Sequence, residues 1–268
     1  MKIDYLMSNQ NSDGSFGQFH SMSNTSKLTT EMALRRFYFL NLDKEIPIVD
    51  KCLEYVRKCL YKEIVIPDRR EKVINWDFFE ELMFASWLNL FYINDNKVNQ
   101  IQSIWVDVIE KSLINNEFNL EEYKRQYRLT FGKRGLKVIN PASFYMVCLL
   151  KNKLSKDASE AFFQYVMKNG IYYIYGNNLY DLPIMFDHKY TINYLIAIKL
   201  ISSYSIQKEE LNFVRDWIYK NQSQDGYWHM DKLKSDGIIF PRSNDWRSNK
   251  NKLIDIKAFI TEILLVLD

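Results

Sequence analysis

Two Thr-Glu pairs, Thr30-Glu31 and Thr261-Glu262, stand near opposite ends of the chain, and a third acidic position, Glu80-Glu81, lies between them. A carboxylate taken out of water holds its proton more tightly, so a Glu on an apolar helix is placed to act as a general acid or base. Glu31, Glu81 and Glu262 form one candidate set, expected at similar depths on inner helices and so as an acidic ring. The adjacent Asp187-His188 is the second candidate, an acid/base dyad before another apolar helix. The plainer readings are first-turn acids opposing a helix dipole and an N-cap Asp beside an exposed His.

Binding chemistry has its own candidates. Lys124 to Lys137, KRQYRLTFGKRGLK, carries six basic residues and no acidic one. Gly132 and Gly135 beside Lys133 and Arg134 predict a flexible loop with exposed backbone N–H groups, a segment suited to gripping phosphate. Arg125, Arg128, Lys133 and Arg134 are the expected anion-binding residues; a solvated loop or a contact for an acidic partner is the alternative. Trp87, Tyr145 and Tyr194 supply aromatic faces that can stabilise a cation or line an apolar cavity.

The elements that must position these residues are read from a repeat. Tyr5-Leu6, Gln10, Gly14 and Phe16 recur with the same spacing as Trp217-Ile218, Gln222, Gly226 and Trp228. Each copy reads as a helix that ends in a glycine turn, with a Gln able to bond a neighbouring element. Stretches such as Val49 to Lys62 are amphipathic, whereas Trp76 to Tyr92, Ala142 to Leu150, Tyr190 to Ile201 and Ile256 to Leu267 are apolar nearly all round. The first kind belongs outside and the second inside. An aromatic-aliphatic or aliphatic pair at Tyr5, Tyr55, Val108, Tyr165 and Trp217 marks five hairpins at steps of 50 to 57 residues. Loops near 116–139, 169–187 and 229–253 join outer to inner helices, so they should gather at one mouth. Ile171 to Tyr175 is the one β-like run and is read as loop.

The repeated motif resembles the QW repeat of the squalene and oxidosqualene cyclases and, more loosely, the β subunits of protein prenyltransferases. The resemblance implies a single-domain, all-α fold, an α/α toroid of five to six hairpins whose inner helices surround an aromatic cavity. It implies an apolar or prenyl-diphosphate small molecule as ligand, with no cofactor of its own and Mg only if the substrate is a diphosphate. The departures are specific. Neither DxDD nor DCTAE is present; Lys27-Leu28-Thr29-Thr30-Glu31 puts Lys27 where the proton donor would stand. No Asp-x-Cys pair offers prenyltransferase-type zinc ligands. Asp77, Glu80 and Glu81 are similar to the metal box of class I terpene synthases but lack a second metal motif. Two other classes therefore stay open: a non-catalytic toroid that binds proteins or peptides, and a carbohydrate-active α/α barrel, which needs two facing carboxylates.

Composition bounds the rest. In 268 residues, 47% hydrophobic and 15% aromatic, no Pro/Gly/Ser-rich linker separates two halves, so one domain is expected. A formal net charge of +3 gives no reason for a nucleic-acid partner. Three cysteines without CxxC spacing read as reduced core thiols. With no apolar signal segment after Met1 and no uninterrupted membrane-length run, the expected location is cytoplasmic.

Overall fold

The computed structural model describes residues 3–20, 28–132, 137–205, 208–235, 241–243 and 245–268. Among them the chain is mostly helical: α1 (Ile3–Asn9), α2 (Thr30–Phe39), α3 (Pro47–Leu60), α4 (Trp76–Leu90), α5 (Asn96–Glu110), α6 (Leu120–Phe131), α7 (Phe144–Leu150), α8 (Lys156–Asn169), α9 (Lys189–Ile201), α10 (Asn212–Lys220) and α11 (Asn249–Leu267). Amphipathic and fully enclosed helices are both present, but α11 departs from the expectation for Ile256 to Leu267: Phe259, Ile260, Ile263 and Leu264 are buried while Leu265 and Val266 face solvent, so it has an open face. In α3, Val49, Cys52, Leu53, Val56 and Leu60 are buried while Asp50 and Lys51 are exposed. In α4 every residue from Leu82 to Leu88 is buried, so this helix has protein on all sides. The three cysteines are free and buried.

The apolar helices pack in succession. α4 contacts α3, α5 and α7; α7 contacts α9; α9 contacts α8 and α11; and α10 contacts α11. Two polar side chains of α4 bond across this stack. Ser86 Oγ donates to the Tyr145 carbonyl at 2.7 Å, and Asn89 Nδ2 donates to the Cys148 carbonyl at 2.9 Å, which fixes the register of α4 on α7.

The repeated motif closes in the same way at both ends. Gln10 Nε2 donates to the Gly14 carbonyl at 3.1 Å, and Gln222 Nε2 to the Gly226 carbonyl at 3.1 Å. The Asp of each copy accepts from the residue after glycine, Ser15 N at 2.9 Å and Tyr227 N at 3.0 Å. Gln10 also donates to the Ile48 carbonyl at 2.9 Å, so α1 is tied to the start of α3. Gly14 and Gly226 have φ of 95° and 76°, which a Cβ would disfavour.

The segments that lead into the apolar helices are joined in order. Asp68 bonds the backbone at Phe19 and His20; Lys137 N donates to the Val73 carbonyl at 2.9 Å; and Tyr172 N donates to the Ala142 carbonyl at 2.8 Å. Lys232 N then donates to Asp187 Oδ1 at 2.9 Å. Each connecting segment is thus bonded to the next along this end of the helices.

Two local expectations need correction. The first part of the basic stretch is helix, not loop: Lys124, Arg125 and Arg128 lie on α6, capped by Asn119 and stopped at Gly132. Tyr123, Tyr127 and Phe131 recur at four-residue steps, and the two tyrosines are buried, with Trp105 5.9 Å from the Tyr127 ring and 4.5 Å from the Phe131 ring. That periodicity, with Glu121 and Glu122 in the first turn, outweighs the glycine signal further on. A short hairpin, β1 (Leu113–Ile114) with β2 (Glu117–Phe118), also stands where no strand was expected. Asn115 and Asn116, at φ of 52° and 63°, make its two-residue turn.

Candidate functional site

The first turn of α2 is fixed by Thr29, whose side chain caps the helix, and by Thr30, whose Oγ1 accepts from Phe16 N at 3.0 Å. Thr30 N and Glu31 N donate back to the Gln18 and Phe19 carbonyls at 2.9 and 3.0 Å. The segment 18–20 therefore runs beside the start of α2, and the His20 ring meets the Glu31 side chain. His20 Nδ1 lies 2.8 Å from Glu31 Oε2. Tyr145, the second residue of α7, donates its hydroxyl to Glu31 Oε1 at 2.7 Å and stands 2.9 Å from His20 Nδ1. Arg35, one turn along α2, reaches Glu31 Oε1 at 3.3 Å, and its guanidinium lies 5.0 Å from the Phe144 ring centre.

Electrostatics assign a protonation state to each group. Burial opposes a charge on Glu31, but Arg35, His20 and Tyr145 outweigh it and hold the carboxyl down at about 2. Burial likewise works against a charged His20, yet the hydrogen bond and charge of Glu31 prevail and raise its pKa above the ordinary value, with Arg35 opposing and Asp68 adding. Burial, then the Glu31 charge, keeps the Tyr145 phenol protonated well beyond its usual range. Glu31 is thus an ionised acceptor, which corrects the expectation of a carboxylate with a raised pKa. Its role is to receive the Nδ1 proton, which leaves Nε2 as the basic nitrogen of a neutral ring or the donor of a charged one. Among the described residues Nε2 has no hydrogen-bond partner, and 17% of the side chain is exposed. Phe79 and Tyr173 flank the ring edge-on, with centres 5.7 and 5.6 Å away.

The other expected residues are placed elsewhere. Glu81 pairs with Lys62 at 3.4 Å. Glu262 pairs with Lys199 at 3.3 Å and with Arg242, and accepts from Asn41 Nδ2 at 3.2 Å. Because α11 begins at Asn249 and not near Ile256, Glu262 falls in its C-terminal half, level with Asn41 in the turn after α2. Glu31 stands eight residues before the end of α2, about 12 Å of helix, and Asn41 lies two residues past that end. The acidic ring does not form: each carboxylate meets its own cation. Asp187 accepts from Lys232 N, whereas His188 caps α9 by accepting from Tyr190 N at 3.2 Å, so the neighbours serve different partners.

Trp87, Tyr145 and Tyr194 are fully buried. Trp87 packs on Phe144 with ring centres 5.2 Å apart; Tyr194 donates to the Leu179 carbonyl at 3.0 Å and packs against Tyr175 and Trp217. In this conformation their surface is spent on protein. Arg125 pairs with Glu122 within α6, Arg128 lies half-buried on the same helix, and Lys133 and Arg134 lie outside the described residues. Asp77 and Glu80 are bonded by Arg70 and by Trp76 Nε1. Among the described residues no three His, Cys, Asp or Glu side chains gather to hold a metal ion, and no helix is long and apolar enough to cross a membrane.

His20 was absent from the candidates taken from sequence, although it follows the closing Phe16 by four residues. Arg35 at i+4 from Glu31 is legible as an ion pair on a helix. The Asp68 contacts, 48 and 49 residues away in sequence, leave no local trace. No protein-family model, no curated protein and no solved structure matches the chain.

Proposed function

We propose that the chain is an α/α toroid that binds an isoprenoid-like or other apolar small molecule and transfers a proton on it through His20. The toroid is supported by the outer-inner alternation, by the successive packing of α4, α7, α9 and α11, and by the Asn41–Glu262 bond between the turn that follows α2 and α11. The observation that carries the activity is the pairing of two Glu residues that the sequence presents in equivalent Thr-Glu pairs. Glu262 is met by the cations Arg242 and Lys199, whereas Glu31, besides its pairing with Arg35, is met by a histidine, His20. A purely structural counter-ion needs no such group. The flanking Phe79 and Tyr173 rings favour an apolar reacting group beside Nε2.

The reaction class follows from the protonation states. An ionised Glu31 is a poor acid, so protonation of an alkene by this carboxyl is disfavoured; proton abstraction or relay by the imidazole is the better fit. The test is turnover of a panel of prenyl diphosphates and uncharged isoprenoids, followed by mass spectrometry with His20→Gln as control. Expected is ligand-dependent thermal stabilisation in both proteins and turnover in the wild type alone. If no compound stabilises the wild type, the reading fails.

A protein-interaction module is the second reading, favoured by one feature. Ile184 is fully exposed and Met185 half exposed beside Tyr190 on the segment before α9, an apolar tip of the sort that protein partners cover.

A further inference from the structure

His20 is held at two points, and only one of them is the Glu31 contact. Asp68, in the segment between α3 and α4, is buried, and its two oxygens accept from consecutive backbone N–H groups: Oδ2 from Phe19 and Oδ1 from His20, each at 2.6 Å. Two charge-assisted bonds from one carboxylate fix both the position and the tilt of that peptide pair. The Phe19 ring closes the arrangement by packing on Phe84 of α4 at 5.0 Å. On its other side the same segment is bonded to the start of α2, so segment 18–20 has little freedom to shift against Glu31.

We infer that Asp68 is a positioning residue for His20, a role that rests on His20 being the proton-transfer group. Without the clasp, the backbone at His20 is held from the α2 side alone, and the distances from Nδ1 to Glu31 and Tyr145 are no longer imposed. A displacement of about 1 Å is enough to break such bonds and is the scale on which proton transfer fails. The groups facing the imidazole are Glu31 and Arg35 from α2, Asp68, Tyr145 from α7, Tyr173 from the segment before α9, and the uncharged Phe79 from α4.

The molecule contains its own control. Asp255 of α11, also buried, accepts from the Arg242 and Ser243 backbone N–H groups at 2.9 and 3.0 Å and from Trp246 Nε1 at 2.8 Å. It clasps the segment whose Arg242 side chain meets Glu262. Asp255→Asn therefore damages a similar buried clasp with no contact to His20.

The test is the titration of the His20 imidazole by NMR in the full chain, assigned with His20→Gln, in the wild type, Asp68→Asn and Asp255→Asn. Asparagine keeps one acceptor oxygen and loses the charge. Asp68→Asn is expected to lower the His20 midpoint by about half a pH unit or more, since a nearby negative charge and the imposed Glu31 bond are both lost. Asp255→Asn should lower the melting temperature and leave that midpoint within about 0.2 unit. Equal midpoints in wild type and Asp68→Asn, or equal shifts in both variants, overturn the assignment. Should Asp68→Asn fail to fold, the wild type still answers: the Phe19 and His20 amides, both held by Asp68, should be protected together from exchange with solvent, and rapid exchange of either overturns the clasp. The titration uses no substrate. A failed reaction with a shifted midpoint therefore removes the proposed activity and keeps the positioning role, while turnover lost in His20→Gln with an unshifted midpoint does the reverse.

Discussion

Asn41 Nδ2 donates to Glu262 Oε1 at 3.2 Å, so the turn that follows α2 is bonded to the last helix, 221 residues later. The same carboxylate holds Arg242 and Lys199, which makes Glu262 a junction between α11, α9 and the end of α2. Glu262→Ala strips two half-buried cations of their counter-charge and should cost about 2–3 kcal/mol, the partial exposure discounted. Asn41→Ala removes one exposed bond and should cost roughly 1 kcal/mol or less. Denaturant unfolding of both variants checks the order, and equal losses would mean that the cations do not depend on Glu262.

Replacing Glu31 alters the pH dependence of stability with a definite sign. The carboxyl titrates at about 2 in the fold against an ordinary 4.5, so its contribution is complete above 4.5 and is lost as pH falls toward 2. His20 is raised above 6.5, so its contribution is complete below 6.5 and is lost as pH rises through the folded value. The wild type should thus be steadiest between these limits. Glu31→Gln should flatten both limbs and, by leaving Arg35 without a buried partner, cost on the order of 3 kcal/mol at pH 6. Melting curves from pH 3 to 9 measure this; unchanged limbs in the variant would contradict the pairing.

Tyr145→Phe isolates the hydroxyl. Its ring packs against Phe79, Phe144 and Tyr173, contacts that Phe retains, while Glu31 loses its shortest donor. A hydrogen bond to a buried carboxylate contributes about 1.5–3 kcal/mol, and a loss in that range is expected. The Glu31 carboxyl, less well solvated, should titrate higher, and His20 with it, as seen by NMR.

The two motif glycines are not equivalent. A Cβ at Gly14 would stand 2.2 Å from the Lys51 carbonyl oxygen, part of the backbone of α3, whereas at Gly226 the nearest atom is the mobile Lys257 Nζ at 4.0 Å. Both sites carry the left-handed penalty of about 1–2 kcal/mol for an L residue. Gly226→Ala should cost that much and no more. Gly14→Ala must also push α1 off α3 and should be several-fold more damaging, in loss of soluble expression or of melting temperature. Similar losses at the two sites would contradict the contact.

The sequence alone determined the helices and, for α3 and α4, which is amphipathic and which is enclosed, because burial on one face or on all faces is written locally in residues such as Val49, Cys52 and Val56 of α3 or Leu82 to Leu88 of α4; the exposed Leu265 and Val266 of α11 are where that reading failed. It determined the glycine turns too, since Gln10-to-Phe16 and Gln222-to-Trp228 each bond mainly within themselves. Two local signals compete at 124–131, and the aromatic period of Tyr123, Tyr127 and Phe131 prevails over the glycines at 132 and 135 because it buries apolar surface against Trp105. The site was legible only in part: Glu31 and Tyr145 stood among the candidates, without their partners. The pairings between elements, His20 with Glu31 and Arg242 and Lys199 with Glu262, were decided by the tertiary structure, whereas Arg35 with Glu31 is a local i, i+4 pair. An ion pair depends on distances of a few ångströms between elements, and the start of α11 at Asn249 moved Glu262 to the far end from Glu31. Whether Glu31 keeps a proton depended on Arg35, His20 and Tyr145 arriving together, and His20 arrives because Asp68, far away in sequence, holds its backbone.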